Sequence, residues 1–313
     1  MKLKHYDQFK TYLALNTAIV FWGLSFVVTK VALESFSPFT LIFARFALAS
    51  CLFLALMAHR GLPSFTRKDH IKMFILALFE PGLYFTFETI GLQYTTAPKA
   101  ALIIATIPVV VMVFAAFFLG EHTSLPSLFG IGLSLAGIAV LVVGDPQFSW
   151  NLGGPMRGDI LIFGAVFSAA IYIVSARDLG RNHSPLEITS MQAIYAAIFY
   201  APAFLWELPG IEWSAMSGRS VQALLYLTIF ATIGAFLCYN YALSRIPASR
   251  AAVFINGIPV VTALGAWILL GESLTPVQAA GGVLVLCAVF LTNLPGWWAA
   301  RRNWANLSTD SEA

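Results

Sequence analysis

The chain has 313 residues, 59% hydrophobic and 11% charged, with a formal net charge of +3 and a mean hydropathy of +0.80. A soluble globule of this length has too little interior for so much apolar surface, so the chain needs lipid as its solvent. The basic excess is spread over short loops, which leaves no patch for nucleic acid, and the alternating ten-residue segments of a membrane barrel are absent.

In chain order, a lysine-bearing tail (Lys2, Lys4, Lys10) leads into an apolar run over residues 11–30. That run is long for a signal-peptide core and no small-x-small cleavage site follows it, so it reads as a retained first helix. Further runs follow at about 38–57, 71–92, 98–119 and 126–144. After a Gly/Pro/Trp-rich connector at 145–157 come five more, at about 158–176, 185–206, 220–241, 248–270 and 276–294. Each is of a length, roughly 17–25 residues, that crosses a ~30 Å hydrocarbon core as a helix. The expected fold is an all-α integral membrane protein with ten transmembrane helices. Prolines at several segment starts suit a first helical turn, where the missing N–H costs nothing.

The chain also repeats itself. Shifted by 151 positions, residues 99–121 fall on 250–272 with 11 of 23 pairs identical, among them Pro108/Pro259, Gly120/Gly271 and Glu121/Glu272. Two five-helix halves result, 11–144 and 158–293, and because five is odd the second enters the membrane from the opposite side. With the N-tail cytoplasmic, thirteen basic residues lie on that side and four (Lys30, Lys99, Arg157, Arg219) on the other, so both termini are expected in the cytoplasm. Trp150, Trp206 and Trp213 then sit near the outer interface, and Trp297 and Trp298 near the inner one. An inverted repeat of this kind suits alternating access around a midplane site.

The paired Gly-Glu helix ends, each followed by a proline-led helix, join Trp22-Gly23-Leu24-Ser25-Phe26, Arg45-Phe46 and Tyr241-Ala242-Leu243 in a recognisable order. In this the chain resembles the EamA-type branch of the drug/metabolite transporter superfamily over about residues 11–293. The resemblance implies a multi-pass protein of the bacterial inner membrane that exports small metabolites. Members of the superfamily handle amino acids, sugars, purines, nucleotide sugars and toxic cations, so it selects no substrate.

Ionisable groups inside a span are costly and therefore candidates for function. Arg45, about seven residues into the second helix, could hold a substrate carboxylate or tie helices together; the repeat sets the neutral Gln192 opposite it. Glu80, Tyr84 and Glu88 recur at steps of four and form one polar stripe on the third helix. A carboxylate there could load and release a proton as the site changes face, or pair with Arg45. Tyr239 and Asn240 in the eighth helix, Tyr172 in the sixth, Gln192 and Tyr195 in the seventh and Asn256 in the ninth are the other candidate lining groups. Trp22 either faces lipid or walls a cavity. Such a cavity is aromatic and aliphatic, suited to amphipathic molecules such as aromatic or branched amino acids.

Lys99 and Arg250 open the fourth and ninth helices against the helix dipole, which calls for an anionic partner, with lipid phosphate expected. Glu121 and Glu272 are expected to brace tight interhelical turns. Small residues in the fifth and tenth helices permit close packing, which makes the fourth, fifth, ninth and tenth helices a scaffold, a surface for a homodimer, and leaves the cavity to the first three of each half. Cys51, Cys238 and Cys287 lie in apolar spans as packing residues. No phosphate-binding loop, metal cluster or catalytic triad pattern is present, so neither an enzyme nor a cofactor or metal is expected. An uncoupled facilitator and a membrane enzyme acting on lipid-linked substrates are the alternatives.

Overall fold

The computed structural model describes residues 2–60, 65–119, 125–144, 154–246, 248–288 and 291. Among the described residues all regular structure is helical. Seven stretches are long and apolar enough to cross a membrane: Gln8–Ala32, Pro38–His59, Arg67–Gly91, Ala97–Phe114, Pro155–Leu179, Pro185–Gly210 and Gly218–Leu243. Phe254–Leu270 and Pro276–Ala288 are apolar but shorter. In chain order the helices are α1 (Lys2–Ala32), α2 (Pro38–Arg60), α3 (Arg67–Ala77), α4 (Tyr84–Gly91), α5 (Ala97–Ile104), α6 (Ile107–Leu119), α7 (Leu125–Val143), α8 (Pro155–Leu179), α9 (Pro185–Glu207), α10 (Gly218–Tyr226), α11 (Ala235–Leu243), α12 (Ala248–Val253), α13 (Ile258–Leu270) and α14 (Pro276–Ala288).

Local chemistry sets the ends. At α3 the Thr66 hydroxyl accepts from the Asp69 amide at 3.2 Å while the Asp69 carboxylate accepts from the Thr66 amide at 2.9 Å. Ser184 and Glu187 start α9 by the same reciprocal bonds, at 3.2 and 2.7 Å. Proline occupies the first turn of α5, α8, α9 and α13. Gly271 ends α13 in the left-handed region, φ 67°, where a side chain would be strained.

Packing then assembles the bundle: α2 lies along α9, α1 against α13 and α11, and α4 against α8. Outward-facing Leu52, Phe129, Ile198, Leu205, Trp267 and Ile268 leave an apolar exterior that lipid can cover. The α1–α13 crossing is close enough for Thr262 Oγ1 to donate to the Gly23 carbonyl at 2.7 Å. A Cβ on Gly23 would lie 2.6 Å from Val261 Cβ, whereas one on Gly132 would meet nothing within 4 Å. Gly23→Ala is therefore expected to cost about 1–3 kcal/mol through overpacking. Thermal unfolding in detergent checks this, with Gly132→Ala leaving the midpoint unchanged or higher.

Buried ion pairs correct the expectation for Lys99. Its side chain is fully buried, and Nζ lies 2.8 Å from Asp159 Oδ2 at the start of α8, while Thr95 Oγ1 donates to Asp159 Oδ1 at 3.1 Å. Protein, not lipid, supplies the anion that the helix start requires. Glu272 likewise does more than brace its own turn. It accepts from Lys30 Nζ at 2.6 Å and from the Ala97 amide at 2.9 Å, so a carboxylate from one end of the chain caps α5. Glu207 does the same for α2, accepting from the Thr40 amide at 2.7 Å. Glu121, Trp150, Trp297 and Trp298 lie outside the described residues.

Candidate functional site: a central cavity between broken helices

Four helical passes lose their regular hydrogen bonding part-way along. Between α3 and α4 the stretch Leu78–Leu83 is π-helical, with non-helical angles at Glu80 (φ −143°, ψ 113°) just before Pro81. Its counterpart between α10 and α11, Leu227–Gly234, is also π-helical. The other two breaks follow from proline. Pro108 has no N–H and its ring crowds the carbonyl four residues earlier, and α5 accordingly ends at Ile104 before α6 resumes at Ile107. Pro259 stands in the same relation to Phe254–Gly257, a 3₁₀ stretch separating α12 from α13.

Three of these breaks meet at one cavity of about 30 Å³, room for roughly one or two waters, and the fourth, Leu227–Gly234, is joined to its wall through Trp22. Of the residues proposed from sequence, Trp22, Glu80, Tyr84, Glu88, Tyr172 and Tyr239 line it. The stripe argument works for Tyr84 and Glu88 because both lie in regular α4; Glu80 reaches the same space from across the break. Trp22 is a wall residue, its Nε1 donating to the Ala231 carbonyl at 3.2 Å and its ring 5.0 Å from that of Tyr239. Sequence reasoning missed Phe26 and Phe85, and it missed Ile104, Ile107, Ile255 and Ile258 by treating the fourth and ninth helices as scaffold. The signal was present in Pro108 and Pro259, which bend those helices toward the centre.

Arg45, Gln192, Asn240, Tyr195 and Asn256 do not line the cavity. Arg45 is 1% exposed, with Nε donating to Thr232 Oγ1 at 2.9 Å and its guanidinium 4.4 Å above the Phe85 ring. Among the described residues it forms no ion pair with Glu80 or Glu88. Gln192 and Asn240 act one layer back. Asn240 Nδ2 donates to Gln192 Oε1 at 3.0 Å and Asn240 Oδ1 accepts from Tyr172 OH at 2.8 Å, which fixes that phenol at the cavity wall. Tyr195 lies at the periphery, hydrogen-bonded to His70 Nδ1 at 2.9 Å. Asn256 belongs to the 3₁₀ stretch between two lining isoleucines.

The bracing is crosswise. Arg45 on α2 bonds Thr232 in the second π-helical stretch, and Gln192 on α9, the position set opposite Arg45, donates to the Glu80 carbonyl in the first at 2.9 Å. The two π-helical breaks free backbone groups that need partners in a water-poor interior, and side chains from the other half of the chain supply some of them: Gln192 to the Glu80 carbonyl and Trp22 to the Ala231 carbonyl. Tyr200 adds to this by donating to the Gly82 carbonyl.

The model of the EamA-like transporter family matches residues 9–143 and again residues 156–294. The chain belongs to that family. An uncharacterized transporter of Archaeoglobus fulgidus is 29% identical over 282 residues, covering 90% of this chain and 98% of its own length. The uncharacterized transporter YcxC of Bacillus subtilis is 30% identical over 306 residues, covering 93% and 95%. One crystal structure superposes with a TM-score of 0.67 at 20% identity over 93% of this chain and 98% of its own, a likeness of fold. Family membership and the apolar helices together make this EamA protein a multi-pass membrane protein of a transporter family.

Proposed function

We propose that this EamA-family protein is a secondary transporter that exports small amphipathic metabolites, amino acids or similar compounds, across the bacterial inner membrane by alternating access. Its ten helices form two inverted five-helix halves, 11–144 and 158–293, with both termini cytoplasmic. Protons entering through Glu80 and Glu88 drive export. The observation that carries this reading is the set of broken passes: the third and fourth helices of the first half and the fourth of the second are interrupted beside one cavity, and the break in the remaining one is tied to its wall through Trp22. Interrupted helices at a repeat interface expose backbone and side-chain polar groups where a solute must be held, and the halves can rock about that point.

Closure is part of the same reading. A cavity with room for roughly one or two waters holds no metabolite until its walls part. One end is held by Lys99–Asp159 and Lys30–Glu272, each joining the first half to the second, both at least partly buried. The other end carries the exposed pair Lys72–Asp178 at 3.3 Å, worth at most about 1 kcal/mol, together with His183 Nε2 at 3.2 Å from Asp69 Oδ1 and the bond between His70 and Tyr195. Without a buried lysine pair, this second end, the cytoplasmic one in this orientation, is where a solute for export enters. Reconstituted into proteoliposomes, the protein is expected to move amphipathic solutes faster under an imposed pH gradient. Flux that ignores the gradient would remove proton coupling, and no flux of any solute class would contradict transport.

A further inference from the structure

The cavity has a charge character that the transport reading does not itself predict. Glu80 and Glu88 are 5% and 1% exposed, both line the cavity, and Oε2 of each lacks a hydrogen-bond partner. The Tyr239 hydroxyl, on a fully buried residue that also lines the space, is likewise without a partner. The remaining polar lining is slight. Ser25 Oγ is spent on the Trp22 carbonyl at 2.7 Å, and the Tyr172 hydroxyl on Asn240. Among the described lining residues there is no cation; the nearest one, Arg45, sits against the Phe85 ring, outside the cavity but close enough for its charge to reach Glu88.

Two acceptor carboxylates beside the rings of Trp22, Tyr84, Phe85 and Tyr239 make a surface suited to a cation with an apolar body. An ammonium group satisfies the carboxylate oxygens by charge-assisted hydrogen bonds and is attracted by the aromatic faces as well. A carboxylate in the same place meets like charge, with the free Tyr239 hydroxyl as the neutral donor to set against it. We propose that the cavity is a binding site for organic amines, monocations with an apolar or aromatic body, and that Glu80 and Glu88 receive the ammonium. It rests on the reading of this cavity as the transport site, and it narrows the amphipathic metabolites to those that carry a protonated amine. In an amino acid the ammonium, not the carboxylate, is the end this site reads. Because the acceptors are the groups assigned to the proton, amine and proton compete for them.

The test uses the full chain in non-ionic detergent and three probes of similar size: 2-phenylethylamine, 2-phenylethanol and 3-phenylpropionate. Titration calorimetry is expected to give the amine an affinity about tenfold or more above the other two. The margin disappears in the Glu80→Gln, Glu88→Gln double variant and narrows as pH falls for the unaltered protein. The alcohol or the carboxylate binding as tightly as the amine, or no binding of the amine, overturns the proposal, and both results come from the unaltered protein if the variant does not fold. Flux in proteoliposomes separates the two readings. Amine binding without flux of any solute keeps the site and removes transport, whereas flux of the alcohol or carboxylate without amine binding does the reverse.

Discussion

Asp159→Asn is expected to destabilise the folded protein by about 3–5 kcal/mol, the cost of removing one partner from a buried ion pair. The substitution isolates charge from shape. Asparagine keeps the oxygen that accepts from Thr95 Oγ1 at 3.1 Å, so what changes is that the fully buried Lys99 ammonium, 2.8 Å from Asp159 Oδ2, faces an amide. Combining it with Lys99→Met removes both charges and should recover most of the loss, since apolar replacement of a whole buried pair is often neutral. Thermal unfolding of the single and double variants in detergent reads this directly. A single variant as stable as the parent would mean that the pair holds nothing. The same variants also test closure. If the pair ties the halves at one end, a cysteine placed on the cavity wall by Ser25→Cys should be labelled from that side more readily in the double variant than in the parent.

The second large effect falls on coupling. Glu80→Gln and Glu88→Gln keep side-chain size and remove the titrating groups from the cavity wall, so the component of flux driven by a pH gradient should vanish, while exchange of an uncharged solute continues and exchange of an amine weakens. Stability should change by no more than about 1 kcal/mol, because neither Oε2 has a hydrogen bond to lose. Of the two, Glu88 is near enough to Arg45 to feel its charge, whereas Glu80 also anchors a helix break through its carbonyl. Glu88→Gln is therefore the cleaner probe of coupling. Gradient-driven flux that persists in both variants would take the proton away from these residues.

Much of this arrangement was legible in the sequence, and for identifiable reasons. Apolar run length indicated helices, and the start of α2, the Gln8–Ala32 stretch and α9 fall close to the expected limits. Trp22, Tyr84, Tyr172 and Tyr239 were singled out because polar or aromatic groups in mid-span need a reason, and they line the cavity. What stayed hidden was facing. Helices apolar on every side carry no moment to say which stripe turns inward, so Tyr195 was placed with the lining when its hydroxyl in fact meets His70 at the edge. Pairing was hidden too. Lys99 and Asp159 lie 60 positions apart, Asp159 was not singled out, and only the crossing of α5 with α8 brings them to 2.8 Å. Arg45 sits about seven residues into α2, but nothing in its own sequence neighbourhood could show that its guanidinium packs on the Phe85 ring outside the cavity lining.

Alternating access by two inverted halves requires that corresponding points in the halves lie on opposite faces of the membrane. Gln93, just after α4, and Arg245, just after α11, are such points, and both are exposed. With Cys51, Cys238 and Cys287 replaced by alanine, single cysteines at Gln93 and Arg245 can be labelled in intact cells by a membrane-impermeant maleimide. The account predicts that Gln93→Cys reacts from outside, while Arg245→Cys reacts only once the membrane is opened. Both positions reacting from the same side would contradict it.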